Sequence, residues 1–114
     1  RIYCGIIADN TYLYLGTDNG ILVYNYHTDK YEQPKTDFPT DVRTMALQGD
    51  TLWIGSLNGL YTYRLKDRKL SRFDSNRSGL SHNTIYSIIH TKDNQIYVGT
   101  YNGLCRYITG TWKV

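Results

Sequence analysis

Cysteine and histidine are scarce in this 114-residue sequence, which contains two cysteines and three histidines. Cys4 and Cys105 lie near opposite ends of the chain, and the sequence contains no Cys-x-x-Cys pair or other metal-ligand spacing. Both occupy apolar, strand-like positions, where cysteine usually acts as a small hydrophobic residue. We therefore expect two buried free thiols and no bound metal or cofactor. A disulfide stays open as an alternative in an oxidising compartment.

The histidines do not form a catalytic pattern. His27, His82 and His90 stand at different places in the chain, and none of them pairs with a serine, a cysteine or a carboxylate in a recognisable constellation. Catalysis of this kind needs a nucleophile, a base and a residue that orients the base to converge on one point. The sequence therefore predicts that this chain is not an enzyme.

Excess charge and long apolar runs are also missing. The net charge is only +3, and no apolar run approaches the roughly 18 residues that a membrane-spanning helix needs. Most of the basic residues gather in one region: Arg64, Lys66, Arg68, Lys69, Arg72 and Arg77. Such a cluster suits a solvated strand edge, and no nucleic-acid-binding motif accompanies it. We expect no nucleic-acid partner and no membrane contact.

Proline is scarce as well, with two residues, whereas there are twelve tyrosines, a composition that favours β structure. One string occurs three times, as LYLGTDNGILVY at residues 13 to 24, LWIGSLNGLYTY at 52 to 63 and IYVGTYNGLCRY at 96 to 107. The glycines within it recur at a period of about 40 residues, which indicates a repeat architecture.

Each repeat contains four short strand-like runs, which we name A to D in chain order. An Asn-Gly pair joins run B to run C, and this pair is the strongest short hairpin signal. We expect a type I′ turn there, with positive φ at both residues. Turns that contain Asp or Asn join run A to run B. The sequence therefore predicts four-stranded antiparallel meanders, with no helix longer than one turn.

Run B is apolar on both faces, as Leu52, Trp53 and Ile54 show. A sheet with one wet face would alternate, so the small sheets must stack, with Trp53 buried between them. Stacked four-stranded sheets at this period form a β-propeller. We predict a single all-β propeller segment over residues 1–114, part of a larger ring of the roughly seven-bladed type. The predicted blades cover about 2–33, 42–73 and 85–114.

The dipeptides of the common propeller types are absent, namely Gly-His and Trp-Asp for the WD type and Gly-Gly for the kelch type. The run GLSHNTIYSIIHTKDNQIYVGTYNGLCRY, residues 79 to 107, resembles the two-component regulator propeller repeat. That repeat is found in periplasmic sensor regions of hybrid two-component histidine kinases of the Bacteroidetes type. The second repeat of this chain matches well from Asp50 to Phe73, and the first is looser. The resemblance covers essentially the whole chain.

The resemblance implies a periplasmic propeller sensor that is joined through a membrane helix to kinase, receiver and DNA-binding parts. Members from gut Bacteroidetes typically sense oligosaccharides and regulate polysaccharide utilisation. By this resemblance, the chain would contribute only sensor blades, and its ligand would be an oligosaccharide. The alternative is a blade segment of a carbohydrate-active or other propeller enzyme. A convergent carboxylate pair or metal cluster at one end of the channel would favour that alternative.

Positions that recur in every repeat predict architecture rather than specificity. The hydroxyl residues after the strand-B glycine are expected to bond within their hairpins; they are Thr17, Ser56 and Thr100. The equivalent tyrosines of run C are expected to pack between blades; they are Tyr24, Tyr63 and Tyr107. Specificity should therefore lie where the repeats differ.

The loops that join run D to the next run A differ in length and chemistry, over residues 34–40 and 74–83. In a propeller such loops open at one end of the central channel, beside the start of run A, and loops commonly carry function. The candidate ligand-binding residues in and after these loops are Asp37, Asp41, Arg43, Arg77, His82, Asn83 and Tyr86.

Three blades alone would leave apolar faces uncovered at both ends, which soluble monomers rarely tolerate. Closed propellers usually contain about 4 to 8 blades. We therefore expect the chain to be a fragment of a larger propeller. Its expected partners are other blades of the parent protein or a second copy of the chain.

Overall fold

The computed structural model describes residues 1–7, 11–32, 34, 36–73, 80, 82–108 and 111–113. Those residues contain twelve strands and no helix. The strands form three four-stranded sheets, and in each sheet consecutive strands pair antiparallel. The prediction of three antiparallel meanders is therefore confirmed.

Each blade contains four strands, A to D, in chain order. Blade 1 consists of β1 (Ile2–Ile7), β2 (Tyr12–Thr17), β3 (Gly20–Asn25) and β4 (Lys30–Glu32). Blade 2 consists of β5 (Val42–Gln48), β6 (Thr51–Ser56), β7 (Gly59–Arg64) and β8 (Lys69–Phe73). Blade 3 consists of β9 (Ile85–His90), β10 (Ile96–Thr100), β11 (Gly103–Ile108) and β12 (Thr111–Lys113).

The hairpins between strands B and C form where the Asn-Gly pairs predict them, but the predicted type I′ turn is wrong. Gly20, Gly59 and Gly103 have φ angles of 119°, 147° and 117°, whereas the asparagines before them do not have positive φ. In each hairpin the asparagine is the second residue of the tip and the glycine already begins strand C. Only the glycine therefore needs a conformation that side chains disfavour.

A hydroxyl residue at the end of strand B fixes each of these turns. Ser56 Oγ donates a hydrogen bond to the carbonyl oxygen of Gly59 at 3.0 Å and accepts one from the N–H of Asn58 at 3.1 Å. Thr17 and Thr100 make the same pair of bonds in their own hairpins. The hydroxyls thus have the architectural role that the repeat predicts.

Strand A is the inner strand of each blade. β1 contacts β5, and β5 contacts β9, so the three inner strands lie side by side. Strand D follows at the far edge of each sheet. The blades are therefore stacked face to face around their inner strands, with blade 2 between the other two.

Two apolar cores fill the spaces between the blades. Val42 and Leu52 are fully buried in the core between blades 1 and 2. Trp53 is 3% exposed in the core between blades 2 and 3, where its ring centre lies 5.3 Å from that of Tyr107. The predicted burial of Trp53 between blades is confirmed. Apolar side chains on both faces of β6 are therefore explained by a blade on each side.

The packing of the equivalent strand-C tyrosines depends on whether a neighbouring blade covers them. Tyr63 is buried against Phe38 beside blade 1, and Tyr107 packs on Trp53 of blade 2. Tyr24 occupies the same position in blade 1, on the face away from blade 2. It bonds to Asp29 and packs beside Tyr31 of its own blade. The expectation of packing between blades holds for the first two tyrosines and is wrong for Tyr24 within this chain.

Both cysteines are free, as expected. Cys105 is fully buried in the core between blades 2 and 3. Cys4 is only half-buried, with its sulfur 4.0 Å from the carbonyl oxygen of Val42. The expectation of two buried thiols is therefore wrong for Cys4, which packs only partly against the core between blades 1 and 2.

Candidate ligand-binding site

Each inner strand carries one extra residue relative to the strand that pairs with it. On either side of Arg43, the pairing advances by two residues along β5 but by one along β6, so Arg43 is a β-bulge. The same irregularity falls at Tyr3 in β1 and at Tyr86 in β9. Bulges redirect a side chain and are common beside functional sites. We call Tyr3, Arg43 and Tyr86 the bulge residues.

Arg43 lies against the neighbouring bulge residue. Its guanidinium carbon is 4.0 Å from the centre of the Tyr3 ring, within range of a cation–π attraction. Its Nη2 is 3.9 Å from Oδ1 of Asp41, an ion pair at partly exposed positions that contributes little stability by itself. Nε of Arg43 is buried and has no hydrogen-bond partner among the described residues. The ring and the carboxylate therefore position the guanidinium while part of its hydrogen-bonding capacity stays unused.

Asp41 also ties two blades together through its backbone. Its N–H donates to the carbonyl oxygen of Asp18 at 3.0 Å, and its own carbonyl oxygen accepts the N–H of Leu57 at 3.3 Å. Those partners lie in the B–C hairpins of blades 1 and 2. Asp41 has a φ of 53°, a left-handed conformation that Asp adopts more readily than most residues. The loop before Arg43 is thus fixed to both hairpins.

A second set of ring-bearing side chains lies at the same end of blade 3. His82 Nδ1 accepts the N–H of Thr84 at 3.0 Å, and the ring centre of His82 lies 5.3 Å from that of Tyr101. Thr84 Oγ1 donates to the carbonyl oxygen of Leu57 in blade 2 at 3.2 Å. Tyr101 is 68% exposed at the tip of the B–C hairpin. The bulges, these hairpins and the D–A loops therefore share one end of the stacked blades, which we call the bulge end.

Comparison with known proteins agrees with this architecture. The family model described as two component regulator propeller matches residues 79–102. Two crystal structures of the extracellular domain of BT4673 from B. thetaiotaomicron are 77% identical to the chain over 99% of its length, with a TM-score of 0.96. The chain is a propeller segment that carries the two-component regulator propeller repeat.

The propeller segment spans only a small part of these relatives. It covers 16% and 15% of the two BT4673 chains, a protein described as a one-component system in one case and as a hybrid two-component system in the other. The extracellular domain of BT3049, described as a hybrid two-component system of B. thetaiotaomicron, shares the fold, with a TM-score of 0.81 at 19% identity over 98% of the segment and 16% of that chain.

A curated relative, histidine kinase P4 from Formosa agariphila, is 31% identical over 115 residues, covering 91% of the segment and 8% of that protein. The segment is thus of the kind found in extracellular sensor domains of hybrid two-component systems. The periplasmic location implied by the resemblance agrees with these structures, because each is an extracellular domain. In the described part of the propeller segment, no helix is long and apolar enough to cross a membrane.

The structure gathers some of the predicted ligand-binding residues of the propeller segment. Asp41 and Arg43 are paired, Tyr86 is the equivalent bulge residue, and His82 lies in the loop before it, next to Asn83. Asp37 is exposed on the other loop. Arg77 lies outside the described residues.

Two residues at the bulge end escaped the sequence-based selection. Tyr3 lies outside the D–A loops, although it occupies the same repeat position as Arg43 and Tyr86. Tyr101 lies in the B–C hairpin, whose recurring residues predict architecture rather than specificity. Comparison of the repeats position by position would have indicated Tyr3.

The clefts between blades lie apart from the bulge residues. One cleft, of about 380 Å³, is lined by Trp53, Phe73 and Tyr107 together with Arg64 and Lys69. Phe73 stacks on Trp53 with an interplanar angle of 9°, so the indole is already used in packing and offers no free face. Among the described residues, no group of three or more His, Cys, Asp and Glu residues is arranged to hold a metal ion.

Proposed function

We propose that residues 1–114 act as one three-bladed segment in the extracytoplasmic propeller of a hybrid two-component sensor, and that this segment helps to bind the sensed ligand without catalysing a reaction. The β-bulges carry the proposal. Three neighbouring inner strands present Tyr, Arg and Tyr at one equivalent position, so the architecture repeats while the chemistry changes from blade to blade. Specificity in a repeat protein arises at such positions.

An oligosaccharide fits this chemistry. Tyr3 and Tyr86 supply flat rings with a hydroxyl at the rim, which suit the mixed apolar and polar surface of a sugar. Arg43 and Asp41 supply hydrogen-bond donors and acceptors between them. His82 and Asn83 in one loop and Asp37 in the other would border the ligand. Binding of an oligosaccharide at the bulge end would then control how the parent protein signals in polysaccharide utilisation.

Calorimetric titration of the purified chain tests the proposal, with a panel of gluco-, xylo-, manno- and galacturono-oligosaccharides as probes. We expect at least one of them to bind, with Arg43→Ala or Tyr86→Ala weakening that binding about tenfold or more. Lys92→Ala is the matched control, because Lys92 is exposed in the A–B turn at the opposite end of blade 3. Each variant must first show the cooperative melt of the parent chain.

Failure of the whole panel to bind, or equal affinity in the bulge variants and the control, would contradict the proposal. The same panel addresses the alternative of a propeller enzyme. Release of new reducing ends by the chain would favour a blade segment of a carbohydrate-active enzyme over a sensor segment.

A further inference from the structure

The fold divides the basic cluster of the second repeat among different surfaces. Arg72 turns back to the B–C hairpin of its own blade, where its Nη2 donates to the carbonyl oxygen of Asn58 at 2.9 Å. Arg68 lines a cleft between blades 1 and 2, which we call the blade 1–2 cleft. Arg64 and Lys69 instead line the cleft of about 380 Å³ between blades 2 and 3, which we call the blade 2–3 cleft. Its volume lies within the usual range for small-ligand sites.

Two cations lie directly opposite each other in the blade 2–3 cleft. Arg64 of β7 pairs with Lys69 of β8, and like charges at such positions destabilise a sheet. Asp67 balances the arginine, because its carboxylate accepts hydrogen bonds from Nε and Nη2 at 3.1 and 2.9 Å. Lys69 has no ion pair within the described part of the chain. One positive charge therefore stays uncompensated, and an arrangement that costs stability without a gain in the fold is typical of a functional site.

Hydroxyl groups surround these two cations. Thr51 pairs with Arg64, Thr62 pairs with Ser71, and all three hydroxyl residues line the blade 2–3 cleft. Thr62 lies two residues before Arg64 in β7, so their side chains share one face of the sheet. The three hydroxyls form no hydrogen bond with the described residues. Each of them can both donate and accept a hydrogen bond, as the hydroxyls of a sugar do.

The blade 1–2 cleft shows that the repeat does not require this chemistry. Val23 and Glu32 line it at the positions that Thr62 and Ser71 hold in the blade 2–3 cleft. Glu32 would repel an anion, and Val23 offers no hydrogen bond from its side chain. Asn25 stands in the place of the strand-C arginine. The two clefts are thus equivalent in the fold, but their chemistry differs in the groups that would meet a ligand.

We propose that the blade 2–3 cleft binds an anionic sugar, whose charge is a carboxylate or a sulfate ester. Lys69 supplies the ion pair, with Arg64 beside it. The hydroxyls of Thr62 and Ser71 exchange hydrogen bonds with the sugar hydroxyls. The cleft lies at the end of β6 that begins with Thr51, whereas the bulge end lies at the hairpin that follows this strand. The site is therefore separate from the bulge end and does not depend on the ligand proposed there.

Calorimetric titration of the purified chain tests the proposal with two matched pairs of probes. Digalacturonate is compared with its neutral methyl ester, 6-sulfated galactobiose is compared with galactobiose, and inorganic sulfate is titrated alone. Lys69→Gln removes the unpaired cation, and Ser71→Glu introduces the carboxylate that blade 1 has at this position. Lys30→Gln is the matched control, because Lys30 is exposed at the position of Lys69 in blade 1.

Each variant must first show the thermal melt of the parent chain. Lys69 and Ser71 are both exposed, so neither change should disturb folding. If Ser71→Glu does not melt cooperatively, Thr62→Val replaces it, since that change also reproduces the residue of blade 1.

We expect at least one anionic probe to bind while its neutral partner does not, and the identity of that probe distinguishes a carboxylate from a sulfate ester. Lys69→Gln should weaken this binding about tenfold or more. Ser71→Glu should abolish it, and Lys30→Gln should leave it unchanged.

Failure of both anionic probes to bind, or equal weakening by Lys69→Gln and Lys30→Gln, would overturn the proposal. Inorganic sulfate that binds as tightly as the anionic sugar would also overturn it, because the cleft would then recognise the charge alone. Weakening by Arg43→Ala and not by Lys69→Gln would place the anion at the bulge end, against the proposal.

Discussion

The indole nitrogen of Trp53 donates a hydrogen bond to Oε1 of Gln48 at 3.0 Å. The amide nitrogen of Gln48 then donates to the carbonyl oxygen of Asn94 in blade 3 at 3.1 Å. One glutamine at the end of an inner strand thus satisfies the polar atom of a buried tryptophan and links two blades. A buried tryptophan usually has such a partner for its N–H.

Replacement of this indole should be the most damaging single change in the core. Trp53→Ala removes the ring that packs against Phe73 and Tyr107, and we expect a loss of about 3 to 5 kcal/mol in the free energy of unfolding. Urea denaturation measures it. Trp53→Phe keeps most of the ring but not the hydrogen bond to Gln48, and should lose clearly less. An alanine variant that unfolds like the parent chain would mean that the blades do not stack as described.

The strand-B glycines should differ sharply in their tolerance of a methyl group. A Cβ on Gly55 would lie 2.6 Å from both Cγ2 of Ile85 and Cγ2 of Thr44, so Gly55→Ala overpacks an interface and should cost about 1 to 3 kcal/mol. Gly99→Ala meets only the side chain of Ser87 and should change stability by less than about 0.5 kcal/mol. Thermal melts of the two variants in dilute solution give the comparison, and equal losses would contradict it.

The buried hydroxyl of the second hairpin should matter more than its partly exposed equivalent. Ser56→Ala leaves the N–H of Asn58 and the carbonyl oxygen of Gly59 without their partner. Because Ser56 is fully buried, we expect a loss of about 1 to 3 kcal/mol. Thr17→Val removes the same bonds where water has access, and should lose less. Chemical denaturation of both variants measures the difference in stability. A larger loss for Thr17→Val than for Ser56→Ala would contradict the prediction that the buried hydroxyl matters more.

Cys4 should make the chain less stable at alkaline pH. Burial raises the pKa of its thiol above the ordinary value, against a smaller opposite effect of the backbone hydrogen bond to Gly16. Because the pKa is higher in the folded chain, the associated stability is present below the unfolded pKa and is lost as pH rises through the folded pKa.

Cys4→Thr is the matched control for this pH dependence, since Thr44 occupies the same repeat position. We expect the parent chain to lose stability relative to this variant between about pH 7 and pH 10, measured by urea denaturation. A constant difference across that range would show that the folded thiol titrates like an unfolded one.

Much of the architecture was predictable because it depends on local patterns. The threefold string placed strands B and C, the turn residues placed the hairpins, and the apolar character of Leu52, Trp53 and Ile54 required cover on both faces. The turn type was not predictable in the same way. Asn-Gly is compatible with more than one hairpin, and the structure uses the left-handed conformation at Gly20 and not at the asparagine before it.

The candidate site was predictable only in part. Arg43 and Tyr86 could be chosen because the repeats differ there, but their shared status as β-bulges depends on how strand A aligns with strand B. That alignment is a property of the pairing between strands, and no local pattern encodes it. Tyr3 lies outside the D–A loops, and only its equivalence to Arg43 and Tyr86 in the repeat indicates it.

The sequence by itself determined that this protein is built of repeated four-stranded units, because strand alternation, turn chemistry and period are local properties of the chain. The tertiary structure alone decided which equivalent residues are buried. Val42 and Ile2 hold the same repeat position, yet one is fully buried on Gly16 and the other is 57% exposed. The physical reason is that burial belongs to a pair of surfaces, and a residue is covered only where a second blade is present to cover it.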